Sequence, residues 1–392
     1  MNQKILERNH KLIRITTVPI SLEKLLNNQL LFMKDYYEVT AISSDKENLE
    51  RVGKSQNIPV YAVEMTRKIT PWQDLKALWQ LYRYLKKEQP LIVHTHTPKA
   101  GTIGMIASKM AGIPHRLHTV AGLPLLETNG SKRKLLNFVE KITYSCASKI
   151  YSNSKGLKNI IIQEGFCKPE KLKIIANGST NGIDTQFFNP EKIATEDILD
   201  LKKSLGIKPE EFVFVYVGRL TGDKGINELL VAFQKITTQF NQAKLLLVGF
   251  FESELDPLRK ESLLEIEKNS QVIFVPFQKD VRPYYAVSDV LVFPSYREGF
   301  PNAVLEAGAM RLPSIVTNIN GCNEIIEHQK NGILIPPKDC NALFTAMKEI
   351  ITDTNLRNYL QQNARPMVVS RFEQIVVWEA LLAEYQKLES HV

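Results

Sequence analysis

A chain of 392 residues is long enough for two domains of ordinary size, and 44% hydrophobic with 23% charged residues excludes the disordered and fibrous classes. No apolar run approaches the roughly 18 residues of a membrane span, and the opening MNQKILERNHKLIRITTV lacks the apolar core of a signal peptide. Cys146, Cys167, Cys322 and Cys340 have no C-x-x-C spacing, which argues against a disulfide framework or a zinc site and for a cytoplasmic protein.

In chain order, Leu12–Val18 reads as a first strand, Leu22–Lys34 as a helix, Tyr37–Ser43 and Val60–Val63 as strands. Asp74–Lys87 has apolar residues at helical spacing, and Leu91–His94 is the next strand. Strand–helix alternation of this kind predicts a doubly wound parallel sheet, with ligands beyond the carboxyl ends of its strands. His94, His96 and Lys99 follow the fourth strand in HTHTPKAG, and Arg116 and His118 fall at the end of the next. Lys99 and His118 are the candidates for the crevice; His94 is read as structural. Asn137–Ala147 is a helix, Ile150–Ser154 a strand and loop, and NGSTNGID a turn-rich segment after Lys173–Ala176. Phe187–Asp200 is polar and loosely patterned, as an interdomain linker would be.

A second series begins with the buried strand FVFVYVGRL. Arg219 and Lys224 flank the glycine-bearing loop that follows, cations outside and backbone N–H groups inside, which suits a diphosphate or an ordinary turn. It is not a P-loop. Strands at Leu245–Gly249 and Val272–Val275 and a short helix at Lys279–Ser288 lead to VLVFPSYREGFPNAVLEAGA. There a buried strand, a loop and a helix capped by Asn302 make an anion site from unpaired first-turn N–H groups. Glu298 in the loop could hold sugar hydroxyls, and Glu306 eight positions later could accept two hydrogen bonds from a ribose diol; solvated carboxylates are the alternative. Further strands at Ser314–Thr317 and Gly332–Ile335 precede a helix from Ala342 and a last one over Gln374–Leu388. D-x-D is absent, so metal-free neutralisation of the diphosphate by Arg219, Lys224 and the helix end is expected.

The net charge of +8 is uneven: residues 1–185 hold 28 Lys/Arg against 15 Asp/Glu, the remainder 22 against 27. This points to an anionic surface facing the first half, with a solvated lysine face as the alternative. A nucleic-acid partner is disfavoured, because no recognition motif occurs and the aromatics are not interleaved with the basic residues.

VGRLTGDKGINELLVAF, FPSYREGFPNAVLEAGA and NGCNEIIEHQKNGILIPP, with HTHTPKAGTIGMIASKMAGIPHRLHTVAGLPL and NGSTNGID in the first half, resemble glycosyltransferase family 4, in particular its capsule and O-antigen subgroup. The resemblance implies an α/β protein of GT-B type, two Rossmann-like doubly wound domains facing across a cleft. Its parts would be an acceptor-side domain over residues 1–188, a nucleotide-sugar domain over 189–368, and a helix over 369–392 crossing back to the first. It implies a retaining hexosyltransferase without cofactor or metal, moving a sugar from a nucleotide-diphosphate donor (a UDP-hexose or UDP-N-acetylhexosamine) to a lipid-linked saccharide, peripheral on the inner face of the cell membrane.

Carried over by position, Arg219 and Lys224 hold the diphosphate and Glu298 contacts the donor sugar. The backbone of Gly299, Phe300, Pro301, Asn302 and Ala303 lies near sugar and phosphates, and Glu306 binds the ribose. Glu298 and His118 are the catalytic candidates, Lys99 a substrate-binding one. An epimerase and a non-catalytic nucleotide-sugar binder are the alternatives. The chain departs from the family in TTVPIS after the first strand, in Ala121 before Gly122, and in Arg311 where glycine is common.

Overall fold

Short runs of β-branched and other apolar residues that do not alternate with polar ones form strands buried on both faces, and VLVF and FVFVYV are the clearest. The computed structural model describes residues 10–66, 68–123, 125, 128–252 and 256–390. It divides into two units, one running to Gly182 and resuming at Ile375, the other spanning Ile183–Gln374.

The first unit contains β1 (Lys11–Ile15), β2 (Glu38–Ser43), β3 (Val60–Ala62), β4 (Ile92–Thr95), β5 (His115–Val120), β6 (Lys149–Ser152) and β7 (Leu172–Lys173). They form one parallel sheet in the order β3-β2-β1-β4-β5-β6-β7. One face is covered by the Pro71–Glu88, Pro98–Ala111 and Gly130–Cys146 helices. The other is covered by Pro19–Leu25 and Gln29–Lys34, together with the C-terminal Gln374–Glu389 helix, whose Leu381, Leu382 and Tyr385 are buried against it. Proline sits at the first turn of three of these helices, where no intrahelical N–H is lost.

The second unit contains β8 (Phe212–Leu220), β9 (Ala243–Phe251), β10 (Val272–Pro276), β11 (Val290–Phe293), β12 (Ser314–Thr317) and β13 (Gly332–Ile335), parallel in the order β10-β9-β8-β11-β12-β13. Both sheets therefore follow the Rossmann order 3-2-1-4-5-6. A single apolar core fills this unit from Ile183 to Phe372.

Three expectations need correction. The stretch expected as a linker contains the Thr195–Ser204 helix, whose Ile198 and Leu201 pack on the second core; its two apolar contacts are too few to mark a helical face. Leu22–Lys34 is two helices separated at Leu26–Asn28, where Asn27 has φ 31°. Asn302 is not an N-cap: Pro301 holds the extended cap conformation and Asn302 begins the helix, exposed.

Candidate active site

In the second sheet β8 and β11 are neighbours, and the chain leaves β8 toward β9 on one side and β11 toward β12 on the other. In sheets of this order ligands bind beyond the carboxyl ends of the strands at such a switch point. Arg219 is the penultimate residue of β8, Lys224 lies on the first loop, which follows it, and Glu298 to Pro301 lie on the second loop, after β11. Residues separated by more than seventy positions thus meet because of strand order.

The first loop ends at Gly225, whose φ is +71°, and a Cβ there would stand 2.2 Å from the Pro294 carbonyl oxygen. Only glycine lets the two loops approach so closely. The Tyr296 amide donates to the Asp223 carbonyl at 2.9 Å, and Arg297 pairs with the Asp223 carboxylate at 3.0 Å. On its far side the second loop is held by Thr317, which donates to the Ser295 carbonyl, and by the Asn320 side-chain amide, which donates to that of Glu298. Gly321, at φ +78°, would put a Cβ 2.5 Å from the Gly299 oxygen. Phe300 anchors the loop below, its ring 5.3 Å from that of Phe372. The second loop is thus clamped from both sides and below.

Within this frame Lys224 Nζ meets Glu298 Oε1 at 2.5 Å, with each side chain 14% exposed. Arg219 pairs with Glu252, and Tyr216, buried beneath, donates to the Arg219 carbonyl at 2.8 Å. Burial and then the Glu298 charge push the Tyr216 hydroxyl well above its usual range, so it stays a donor. The Asn302–Ala309 helix starts with no side-chain cap and no acidic residue in its first turn, leaving its dipole and N–H groups available to an anion. Glu306, half-buried on this helix, accepts from the Tyr285 hydroxyl at 3.1 Å, which fixes the carboxylate's direction. The structure thus sets Lys224 against Glu298 and places Arg219, the Gly299–Ala303 backbone and the helix that carries Glu306 at or beyond the carboxyl ends of β8 and β11.

Sequence reasoning missed the partners. Glu252, Tyr285 and Asn320 lie 33, 21 and 22 positions from the residues they orient, and no local pattern relates them. Phe250, opposite Arg219 in the β8–β9 register, forms an edge-to-face pair with Phe277 at 6.3 Å; both rings are exposed at strand carboxyl ends.

His118 and Lys99 belong to the first unit. His118 lies inside β5, not at its end, and is buried. Its Nδ1 is 2.8 Å from the Thr95 hydroxyl, and its ring packs so closely on Gly101 that a Cβ there would lie 2.3 Å from Cε1. Burial drops its pKa to about 4, so the ring is neutral near pH 7. Lys99 opens the Pro98–Ala111 helix and pairs with Asp74 at 2.5 Å. His94 bonds the Tyr385 hydroxyl at 2.5 Å and Thr119 at 2.7 Å, pinning the C-terminal helix. Nearby Arg14 is fully buried, donating to Gln29 at 2.6 Å and His96 at 3.0 Å. Arg311 holds φ +65°, a conformation that glycine adopts freely, and pairs with Glu191 at 2.7 Å. Among the described residues no group of three His, Cys, Asp or Glu is arranged for a metal, and no helix is long and apolar enough to cross a membrane.

Comparison with known proteins gives the family and the fold. Residues 197–367 match the family model of glycosyl transferases group 1, and residues 33–178 that of the glycosyl transferase 4-like domain. The capsular polysaccharide biosynthesis glycosyltransferase CapM of Staphylococcus aureus is 33% identical over 96% of this chain and 97% of its own length. The Escherichia coli UDP-Gal:alpha-D-GlcNAc-diphosphoundecaprenol alpha-1,3-galactosyltransferase is 32% identical over 79% of this chain and 78% of its own. Among solved structures, HepE of Anabaena, in complex with UDP and glucose, aligns with a TM-score of 0.80 at 21% identity over 97% of this chain and all of that one. That likeness gives the GT-B fold.

Proposed function

The chain belongs to glycosyltransferase family 4, and on that premise we propose that it moves a hexose or N-acetylhexosamine from a UDP-sugar to a saccharide carried on a polyprenyl diphosphate, with retention of anomeric configuration. The observation that carries the reading is the convergence of Arg219, the Lys224–Glu298 pair and an uncapped helix start on one switch point. Two cations and a helix end form a receptor for a diphosphate, and carboxylates to either side accept hydroxyls.

In this reading the donor's phosphates take over Lys224, and Glu298, released from it, accepts hydrogen bonds from the donor sugar. Glu306, already oriented by Tyr285, accepts the ribose hydroxyls. The exposed Phe250 and Phe277 rings offer an apolar surface to the base. The leaving diphosphate gains negative charge as the glycosidic bond breaks, and Arg219, Lys224 and the first-turn N–H groups of the helix stabilise that charge most at the transition state. On a front-face route the departing phosphate oxygen takes the proton of the acceptor hydroxyl, so no protein nucleophile is assigned. His118, neutral and walled in by Gly101 and Thr95, is given no proton-transfer step, and Lys99 is assigned to its ion pair with Asp74. The E. coli relative's diphosphoundecaprenol-linked acceptor supports the lipid-linked class. Together with the basic balance of residues 1–185, it supports a peripheral position on an anionic membrane.

Calorimetric titration with UDP, GDP and ADP, followed by transfer from labelled UDP-sugars into a polyprenyl-diphosphate saccharide, tests this. Selective UDP binding lost in Lys224→Ala and label in the lipid product are expected. Absence of nucleotide binding overturns the donor site, and turnover of donor without acceptor supports an epimerase.

A further inference from the structure

An exposed apolar surface in the first unit takes no part in the site. On the Pro71–Glu88 helix, Trp72, Leu75 and Trp79 are 85%, 57% and 56% exposed, and Ile69 just before it is 60% exposed. Positions 72, 75 and 79 recur at helical spacing, opposite the buried Ala77, Leu81 and Leu85. The same pattern recurs on the Gly130–Cys146 helix, where Leu135 and Phe138 are exposed. Both helices flank the Pro98–Ala111 helix on one face of the first sheet. Isolated exposed apolar residues need no explanation, but two tryptophans and a leucine aligned on one helix do.

The charges in these stripes are of one sign. Lys76, Arg83 and Lys87 continue the first stripe, and Lys134 and Lys141 bracket Phe138 in the second, all exposed and none with an ion-pair partner among the described residues. The acids of the first helix are turned elsewhere, Asp74 to Lys99 at 2.5 Å and Glu88 to Lys11 at 2.8 Å. Glu140 of the second is half-buried, and burial raises its pKa.

We propose that the exposed faces of the Pro71–Glu88 and Gly130–Cys146 helices form the docking surface of this enzyme for an anionic lipid bilayer, with Trp72, Trp79 and Phe138 entering the headgroup region and the lysines facing lipid phosphates. Tryptophan favours that depth because its ring is apolar and its N–H remains wet. An unopposed basic rim adds attraction to anionic lipid. The same rim argues against a second copy of the chain as the occupant, since a two-fold contact would set lysines against lysines. Direction matters as well. In a parallel sheet with helical crossovers both helices start at the carboxyl edge of the strands, where ligands of such sheets bind. On the Pro71–Glu88 helix the apolar end of the stripe, with Ile69 and Trp72, lies at that start, so this helix meets the bilayer at the edge from which a lipid-linked acceptor enters. The role of that edge rests on the proposed acceptor; the docking surface is tested apart from it.

The chain has three tryptophans, and the third, Trp378, is half-buried against Phe32 and donates to Asn181 at 2.7 Å. The full-length protein is mixed with vesicles of phosphatidylcholine alone or with phosphatidylglycerol, and tryptophan emission and co-sedimentation are read. Emission is expected to shift to the blue and to be quenched by brominated lipid only with the anionic vesicles. Trp72→Ala with Trp79→Ala should abolish the shift and weaken sedimentation about tenfold or more. Lys76→Glu with Lys87→Glu should weaken it by a similar factor, about fivefold for each residue, and only on anionic vesicles. Both pairs should leave transfer to a short-chain, water-soluble acceptor unchanged. The proposal is overturned by absence of vesicle binding, by binding that neither pair alters, or by a concentration-dependent dimer in ultracentrifugation that the tryptophan pair dissolves without changing vesicle binding. Vesicle binding without sugar transfer upholds the docking surface and overturns the acceptor reading.

Discussion

The two sheets repeat one strand order, yet their switch points are built for different work. At the β1/β4 switch of the first sheet the loops close on each other: the Thr17 amide and hydroxyl lie 2.9 and 2.7 Å from the Thr97 hydroxyl. The polar residues beneath, Arg14, His94, His96 and His118, are all 3% exposed or less. At the β8/β11 switch of the second sheet, glycines bring the loops together and leave charged groups at the rim, Lys224 and Glu298 bonded to each other. A partly exposed ion pair exchanges partners at little cost, because water and ligand both compete for it. A buried, neutral histidine cannot charge without losing its surroundings. Fold alone therefore does not distinguish the two switch points; the burial of their charged groups does, and it favours the second as the proposed donor site.

The largest effect expected from breaking this contrast is on catalysis. Glu298→Gln should lower sugar transfer by about a hundredfold or more while UDP affinity holds or rises, since Lys224 is freed for the phosphates. Steady-state rates and calorimetry read the two separately, and a parallel loss of both would show Glu298 acting through structure.

Acid should next distinguish the units by stability. The folded pKa of His118 is about 4, below its unfolded value near 6.5, so the unfolded chain binds more protons between those limits. The contribution, about 3 kcal/mol for His118, is fully present above pH 6.5 and is lost as pH falls toward 4. His94 and His96 shift in the same direction, again first by burial. Among the described residues the second unit has one histidine, the exposed His328. Hydrogen exchange at pH 7.5 and pH 5 should show β4 and β5 losing protection well ahead of β8 and β11.

A smaller test compares two left-handed glycines. Gly112→Ala, where a Cβ meets nothing within 4 Å, should cost only backbone strain, about 1 kcal/mol. Gly225→Ala adds a clash with Pro294 and should cost about 2–3 kcal/mol in denaturant titration, and UDP binding with it. The smallest effect is expected from chelation: EDTA should leave the transfer rate unchanged, as the proposed diphosphate receptor consists of side chains and a helix end.

The strands of the second sheet were legible because a strand buried on both faces needs an unbroken apolar run, and VLVF, FVFVYV and SIVT have little else. Arg219, Lys224, Glu298 and Glu306 could be singled out as candidates because they lie in or beside glycine-bearing loops after such strands, where backbone N–H groups and charges can serve a ligand. Helices with few buried residues were not: Lys260–Lys268 buries only Ser262, so hydrophobic spacing gives no sign of it. Thr354–Phe372 carries Pro366 within it and reads as interrupted.

The sequence by itself determined the repeated α/β alternation and the two sheets, and singled out the residue types of the proposed donor site, because these depend on local spacing and burial. Tertiary structure alone decided that Lys224 faces Glu298, that Tyr285 aims Glu306, that His118 is sealed inside β5, and that the tryptophans of the Pro71–Glu88 helix point outward. Each of these depends on which distant element covers a side chain, and that is settled by strand order and packing rather than by neighbours in the chain.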